Sequence, residues 1–168
     1  KEENISQELL LKIVQWGQTY FTSSTTANNN KYNNGKQICQ SPMMRVPGCV
    51  ATVHVSTTLI PIIHDDNNIN TYSPDQYFVR VDGTADALIS KGLVALVAAA
   101  FSQASRPTAQ QILEIRPSTV AEDLGLRSTL SRGRNDGLAS IVTIVQQQIR
   151  SILLNSNNLS SDEIGRAS

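Results

Sequence analysis

A small antiparallel sheet packed against several helices, an α+β fold, is what this sequence predicts, and three observations predict it. Residues 50–59 alternate, with Ala51, Val53 and Val55 on one side and Thr52, His54 and Ser56 on the other, the period of a half-buried strand. Residues 87–103 are almost wholly apolar, which suits a helix covered on most of its circumference. Near the end, Leu138, Ile141, Val142, Val145, Ile149, Ile152 and Leu153 return at helical spacing and trace one apolar face. With helix first, strands next and helices after, and no internal repeat, the strands form one sheet with helices laid against it.

The elements follow in chain order. Leu10, Ile13, Val14, Gly17 and Phe21 mark one face of an N-terminal helix that ends near Tyr20. Residues 22–35 are almost entirely Ser, Thr, Asn and Lys, too polar to bury their own backbone, and read as a flexible loop. The strand of residues 50–59 pairs with a second over residues 76–82, closed by Asp82-Gly83. The connection between them, residues 61–75, carries Asp65-Asp66-Asn67-Asn68 and is long for a hairpin, so it reads as an exposed excursion. Asp86 stands where an N-cap belongs, ahead of the helix of residues 87–103. Pro107 starts a short helix to Ile115, Pro117 or Ser118 another to about Leu126, and Asn135 caps the last and longest. After Asn155 the chain turns polar and reads as a frayed tail over residues 155–168.

A chain of 168 residues fits a single domain and can bury about 70% of its unfolded surface, so it needs no staple. Fourteen basic and fourteen acidic residues balance to no net charge, with no block of one sign, which argues against nucleic acid and anionic membrane as partners. The longest apolar run, residues 92–101, is about half the roughly 20 residues of a spanning helix. Two cysteines make no disulfide framework, which fits a reducing compartment. The two sequons, at Asn4 and Asn158, carry little weight in a chain so rich in Asn and Ser.

Several chemistries are disfavoured by spacing. Cys39, Cys49, His54 and His64 are spread as C-x9-C-x4-H-x9-H, far from the tight pairs that wrap a tetrahedral zinc. An iron-sulfur cluster needs three or four protein ligands of thiolate type, and the chain offers two cysteines. Neither histidine sits in an acyl-transfer motif, and Gly83, Gly92, Gly133 and Gly137 form no phosphate loop.

The thiols remain. Cys49 follows the turn Val46-Pro47-Gly48 and opens the strand, where it is either a reactive thiol presented at a turn edge or a small apolar residue, and the residues leave both readings open. Cys39, beside the polar tract, reads as an incidental free thiol. A Cys39–Cys49 disulfide is conceivable, though spacing does not establish it. Arg132 and Arg134 flank Gly133 at a helix start, either as solvated arginines or as a cationic patch able to hold a carboxylate or favour a thiolate.

Three segments in order over residues 46–152 resemble the SufE family of sulfur-acceptor proteins. They are Gly48-Cys49-Val50-Ala51-Thr52-Val53-His54, Asp86-Ala87-Leu88-Ile89-Ser90-Lys91-Gly92-Leu93, and Leu130-Ser131-Arg132-Gly133-Arg134-Asn135-Asp136-Gly137-Leu138. The resemblance implies a SufE/IscU-like sandwich in which Cys49 takes sulfur from the persulfide of a pyridoxal-phosphate, SufS-type cysteine desulfurase and passes it to an iron-sulfur scaffold complex. The chain is then a sulfur-transfer accessory protein rather than an enzyme, carries no cofactor of its own, and is a monomer or weak homodimer. Arg134 matches the family arginine expected near the acceptor loop or partner surface, Asp86 matches the family aspartate, and Lys91-Gly92 the family pair.

Ala51, His54 and Gly133 depart from the usual Ser, Trp and Ser. His54 thereby becomes a candidate modulator of the site. The Asn- and Ser-rich insertions and the missing start Met suit a processed organellar member, plastid among the choices, with bacterial cytoplasm the alternative. Rival readings are an iron-sulfur scaffold-like module, a thiol-disulfide oxidoreductase using Cys39 and Cys49, and a helical adaptor in which Cys49 is inert.

Overall fold

The computed structural model describes residues 8–15, 18–19, 32–33, 36–37, 39–62, 73–102 and 106–164. Helix α1 covers residues 8–15. A two-stranded antiparallel ribbon, β1 (Tyr32–Asn33) with β2 (Lys36–Gln37), lies at the end of the tract expected to be a loop, while residues 22–31 and 34–35 of that tract lie outside the described residues. The main sheet is antiparallel, with β5 (Val53–Pro61) at its centre. On one side β5 pairs with β6 (Tyr77–Ala85) along its whole length, and on the other with β3 (Cys39–Gln40) and β4 (Met44–Arg45). Helices α2 (Leu88–Ser102), α3 (Ala109–Glu114), α4 (Val120–Asp123) and α5 (Arg132–Ile164) complete the α+β sandwich.

β3 and β4 are one edge strand interrupted by a bulge. Between the pairs Gln40 with Thr58 and Met44 with Val55, residues 41–43 lie opposite only residues 56–57. Pro42 has no N–H for the ladder, and the Ser41 hydroxyl stands in, accepting from the Thr57 N–H at 2.8 Å while the Ser41 N–H donates to the Thr57 carbonyl. Gln148 of α5, 2% exposed, plugs the gap. Its amide donates to the carbonyls of Val55 (3.0 Å) and Pro42 (3.3 Å), and its oxygen accepts from the Thr57 hydroxyl (2.7 Å). A buried amide so placed is stabilising only while every partner is present.

One sheet face carries Val53, Val55, Leu59, Val79 and Val81, all buried under α2 and α5. Glycine allows the closest approaches. At Gly83 a side-chain carbon would stand 2.7 Å from both Val94 of α2 and the His54 carbonyl, and at Gly92 it would run into the Ile13 carbonyl of α1. All seven apolar residues expected on the last helix are buried. Over Arg132–Ser156 α5 is long and apolar enough to cross a membrane, but most of that stretch is covered by the rest of the fold, as in the core helix of a globular domain.

Several boundaries differ from the sequence reading. β5 begins at Val53, not residue 50, because residues 50–52 bend toward Asp86. β6 runs through Asp82-Gly83 to Ala85, since Gly83 fits opposite Val55. Within the expected excursion of residues 61–75, Pro61 still belongs to β5, the Ile62 N–H bonds the Gln76 carbonyl and Pro74–Gln76 forms a 3-10 turn. Residues 63–72 lie outside the described residues.

Asp86 does not cap α2; the helix's first bond runs from the Lys91 N–H to the Ala87 carbonyl. α3 starts at Ala109 rather than at Pro107, and Thr108 caps it through a capping box with Gln111. The helix expected from Pro117 or Ser118 to Leu126 is a 3-10 turn, Pro117–Thr119, followed by one turn of α4. α5 begins before Asn135: the Ser131 carbonyl takes the first bonds, and the Asn135 amide instead ties down the carbonyls of Arg127 and Leu130. α5 also continues to Ile164 through the stretch expected to fray.

Two outcomes follow. Gln148→Leu leaves the Thr57 hydroxyl and two carbonyls buried without their partner and should cost about 2–3 kcal/mol, read as a lowered urea midpoint with unchanged slope. Gly92→Ala should push α1 off α2, costing about 1–3 kcal/mol and making the chain around Ile13 more susceptible to limited proteolysis.

Candidate functional site

The loop that carries Cys49 is fixed at both ends. At its base the Val46 N–H bonds the Val53 carbonyl at 2.8 Å. Pro47-Gly48 then makes the turn, with Gly48 at φ +75°, a conformation glycine adopts at no steric cost. At the far end Thr52 and Asp86 bond each other twice: the Asp86 N–H donates to the Thr52 carbonyl (3.2 Å), and the Thr52 N–H to Asp86 Oδ1 (3.0 Å).

Between these ties the loop lies along the first turns of α5. Cys49 is half-buried, its Sγ 3.8 Å from the Gly137 carbonyl, while the adjoining Val50 is 95% exposed. Burial pushes the Cys49 thiol above its ordinary pKa, since a thiolate there is partly cut off from water.

The Cys49 loop forms one wall of a cleft of about 820 Å³. The facing walls come from Val14 of α1, Leu88 and Leu93 of α2 and Ile141 of α5, so the cleft is largely apolar. Its charged groups are Asp86 and Arg134. The two arginines of the sequence motif part company here: Arg134 lines this cleft, while Arg132 lines a neighbouring hollow with Glu122, Arg127 and Asp136.

The structure therefore brings together Cys49, Asp86 and Arg134, which are far apart in sequence. It does not bring His54 to them. Alternation turns His54 to the sheet face opposite buried Val53 and Val55, level with exposed Arg45 and Thr84, and it does not line the cleft.

Cys39 is elsewhere too. It is half-buried on β3, 3.7 Å from the Ser156 hydroxyl, and neither cysteine is in a disulfide. Cys49 meets α5 at Gly137 and Cys39 meets it at Ser156, a separation of roughly 28 Å along the helix. A disulfide needs Cα atoms within about 7 Å, so this fold does not pair the two thiols.

His64 falls outside the described residues. Among the described residues no three of His, Cys, Asp and Glu gather as a metal site. Sequence reasoning missed Gly137, whose carbonyl faces the sulfur, and the apolar cleft wall. The spacing of Gly133 and Gly137, one helical turn apart on α5, was the available sign of a close approach.

A cysteine seated between a turn and the start of a helix, with the aspartate and arginine of two distant motifs in one cleft, can carry a sulfur atom or an acyl group, and local geometry does not choose between them. Comparison with known proteins adds a choice of family. The model of the SufE family, described as an Fe-S metabolism associated domain, matches residues 29–149, and none of the curated proteins compared matches the chain. That match spans the edge strand, the whole sheet, α2 to α4 and the first half of α5, including every cleft residue from Cys49 to Ile141, and on this ground the chain belongs to the SufE family, a domain associated with Fe-S metabolism.

Proposed function

We propose that the chain is a sulfur acceptor and activator for a SufS-type cysteine desulfurase, and that Cys49 receives the sulfur and passes it on to iron-sulfur assembly. The observation that carries this reading is the setting of Cys49: a single thiol on a short tied loop, beside an exposed apolar residue, walling a cleft that also holds Arg134. The roughly 28 Å to Cys39 disfavours the dithiol oxidoreductase, which needs two thiols in reach of each other.

In the proposed step Cys49 loses its proton, and the thiolate attacks the outer sulfur of the partner's cysteine persulfide. The new S–S bond forms to Cys49 as the partner's S–S bond breaks, and the partner's cysteine leaves as a thiolate. One sulfur moves and no net oxidation occurs, so neither oxidant nor reductant is consumed. Cleavage of the free amino acid's C–S bond belongs to the partner and its cofactor.

On this chain Arg134 offers a positive charge to the thiolate, the persulfide or a partner carboxylate in the cleft. Asp86 holds the carrier loop by its bond to the Thr52 N–H. Burial acts the other way: with the pKa raised, the thiolate fraction at neutral pH falls below the few per cent of an ordinary cysteine. The carrier is then poorly reactive alone and gains reactivity when a docked partner rearranges the cleft.

Intact mass after incubation with a SufS-type desulfurase, pyridoxal phosphate and cysteine should rise by about one sulfur atom in the parent and in Cys39→Ser, and not in Cys49→Ser. No added sulfur on the parent, with no rise in desulfurase turnover, would favour the inert adaptor. In the free protein, iodoacetamide should modify Cys49 with a pH midpoint above the roughly 8.5 of an exposed thiol, because burial disfavours the charged form. A midpoint below that value would mean that a nearby cation outweighs burial.

A further inference from the structure

The acceptor loop and α5 touch in an ordered way. A side-chain carbon built at Gly133 would stand 3.6 Å from Val50 Cγ2, one at Gly137 would stand 3.2 Å from Cys49 Sγ, and one at Gly48 would stand 3.6 Å from Ser140 Oγ. Residues 133, 137 and 140 share one helix face, so the loop runs antiparallel to α5 with Gly48, Cys49 and Val50 over successive small residues. Glycine is a poor helix former, and two of them in the opening turns of a long helix weaken it locally. The contacts supply a reason at Gly137, where any larger residue would press on the sulfur; at Gly133 a methyl would make only an ordinary contact.

We propose that Gly137 and Ser140 form the seat on which the Cys49 loop rests, and that Gly137 is the positioning residue that sets how deeply the sulfur is withdrawn. The loop is tied at Val46–Val53 and at Thr52–Asp86, and between those ties residues 48–50 rest on the helix. Seated, Cys49 has its sulfur against the Gly137 carbonyl. Lifted, the same short segment moves the sulfur off the helix while both ties hold. The consequence for sulfur transfer rests on the acceptor reading above; the seat itself does not.

The two glycines differ in what an added methyl does, and that difference is the test. In Gly137→Ala the methyl is too close to the sulfur to fit without displacing it, so Cys49 should sit less deeply, react with iodoacetamide roughly threefold or more faster at neutral pH, and show a lower pH midpoint. In Gly133→Ala the methyl makes an ordinary contact with Val50, and rate and midpoint should match the parent. A folded Gly137→Ala, judged by circular dichroism and melting, with the parent's rate and midpoint overturns the proposal.

The experiment uses this protein alone, so its outcome is independent of whether a desulfurase loads Cys49.

Discussion

The amide of Gln148 is the point on which the arrangement depends. It sits fully inside the protein and ties three elements at one point: the central strand at the Val55 carbonyl and the Thr57 hydroxyl, the bulged edge strand at the Pro42 carbonyl, and α5 itself. Apolar packing would hold α5 against the sheet in many registers, because dispersion and burial are indifferent to small sliding. Hydrogen bonds with fixed directions are not indifferent. Setting the register at Gln148 also sets, three turns toward the N-terminus, which residue faces Cys49. The polar knot in the core and the sulfur at the surface are thus two ends of one rigid rod.

Much of the core was legible in the sequence, and the reason is periodicity. The alternation of Val53 and Val55 with His54 and Ser56 gave the correct inner face of β5, and the face of α5 from Leu138 to Leu153 is buried as the spacing requires. What could not be read were features set by distant partners. The edge strand around Pro42 has no alternation because its bulge shifts the register and its side chains are largely exposed. Asp86 looks like a helix cap, since a cap and a tie to a remote N–H use the same carboxylate, and only the fold brings Thr52 to it. Asn135 was misread for the same reason. The polar end of α5 looks like a tail because helix continuation there is not marked by an apolar face.

The candidate site divides along the same line. Cys49 was conspicuous through its turn, and Arg134 through its motif, but their shared cleft is a product of the sheet and two helices. His54 was drawn in by nearness in sequence. Strand alternation counts against it: its neighbours Val53 and Val55 face the interior where the cleft lies, so His54 faces away. Around the thiol, burial alone sets the direction of the shift, upward. Arg134 is solvent-exposed, and water screens its charge.

The ties at the two ends of the Cys49 loop limit how far the Cys49 sulfur can travel. Between Val46 and Thr52 lie only five residues, which even fully extended span about 17 Å, so the apex can rise about 8 Å from its base at most. A sulfur held at that apex cannot be swung between two distant stations in the manner of a long tethered arm. Under the acceptor role proposed for Cys49, giver and receiver would have to approach the same few square nanometres of surface, each leaving before the other arrives. Delivery would then be a matter of the whole domain diffusing from one host to the next, with exchange strictly by turns.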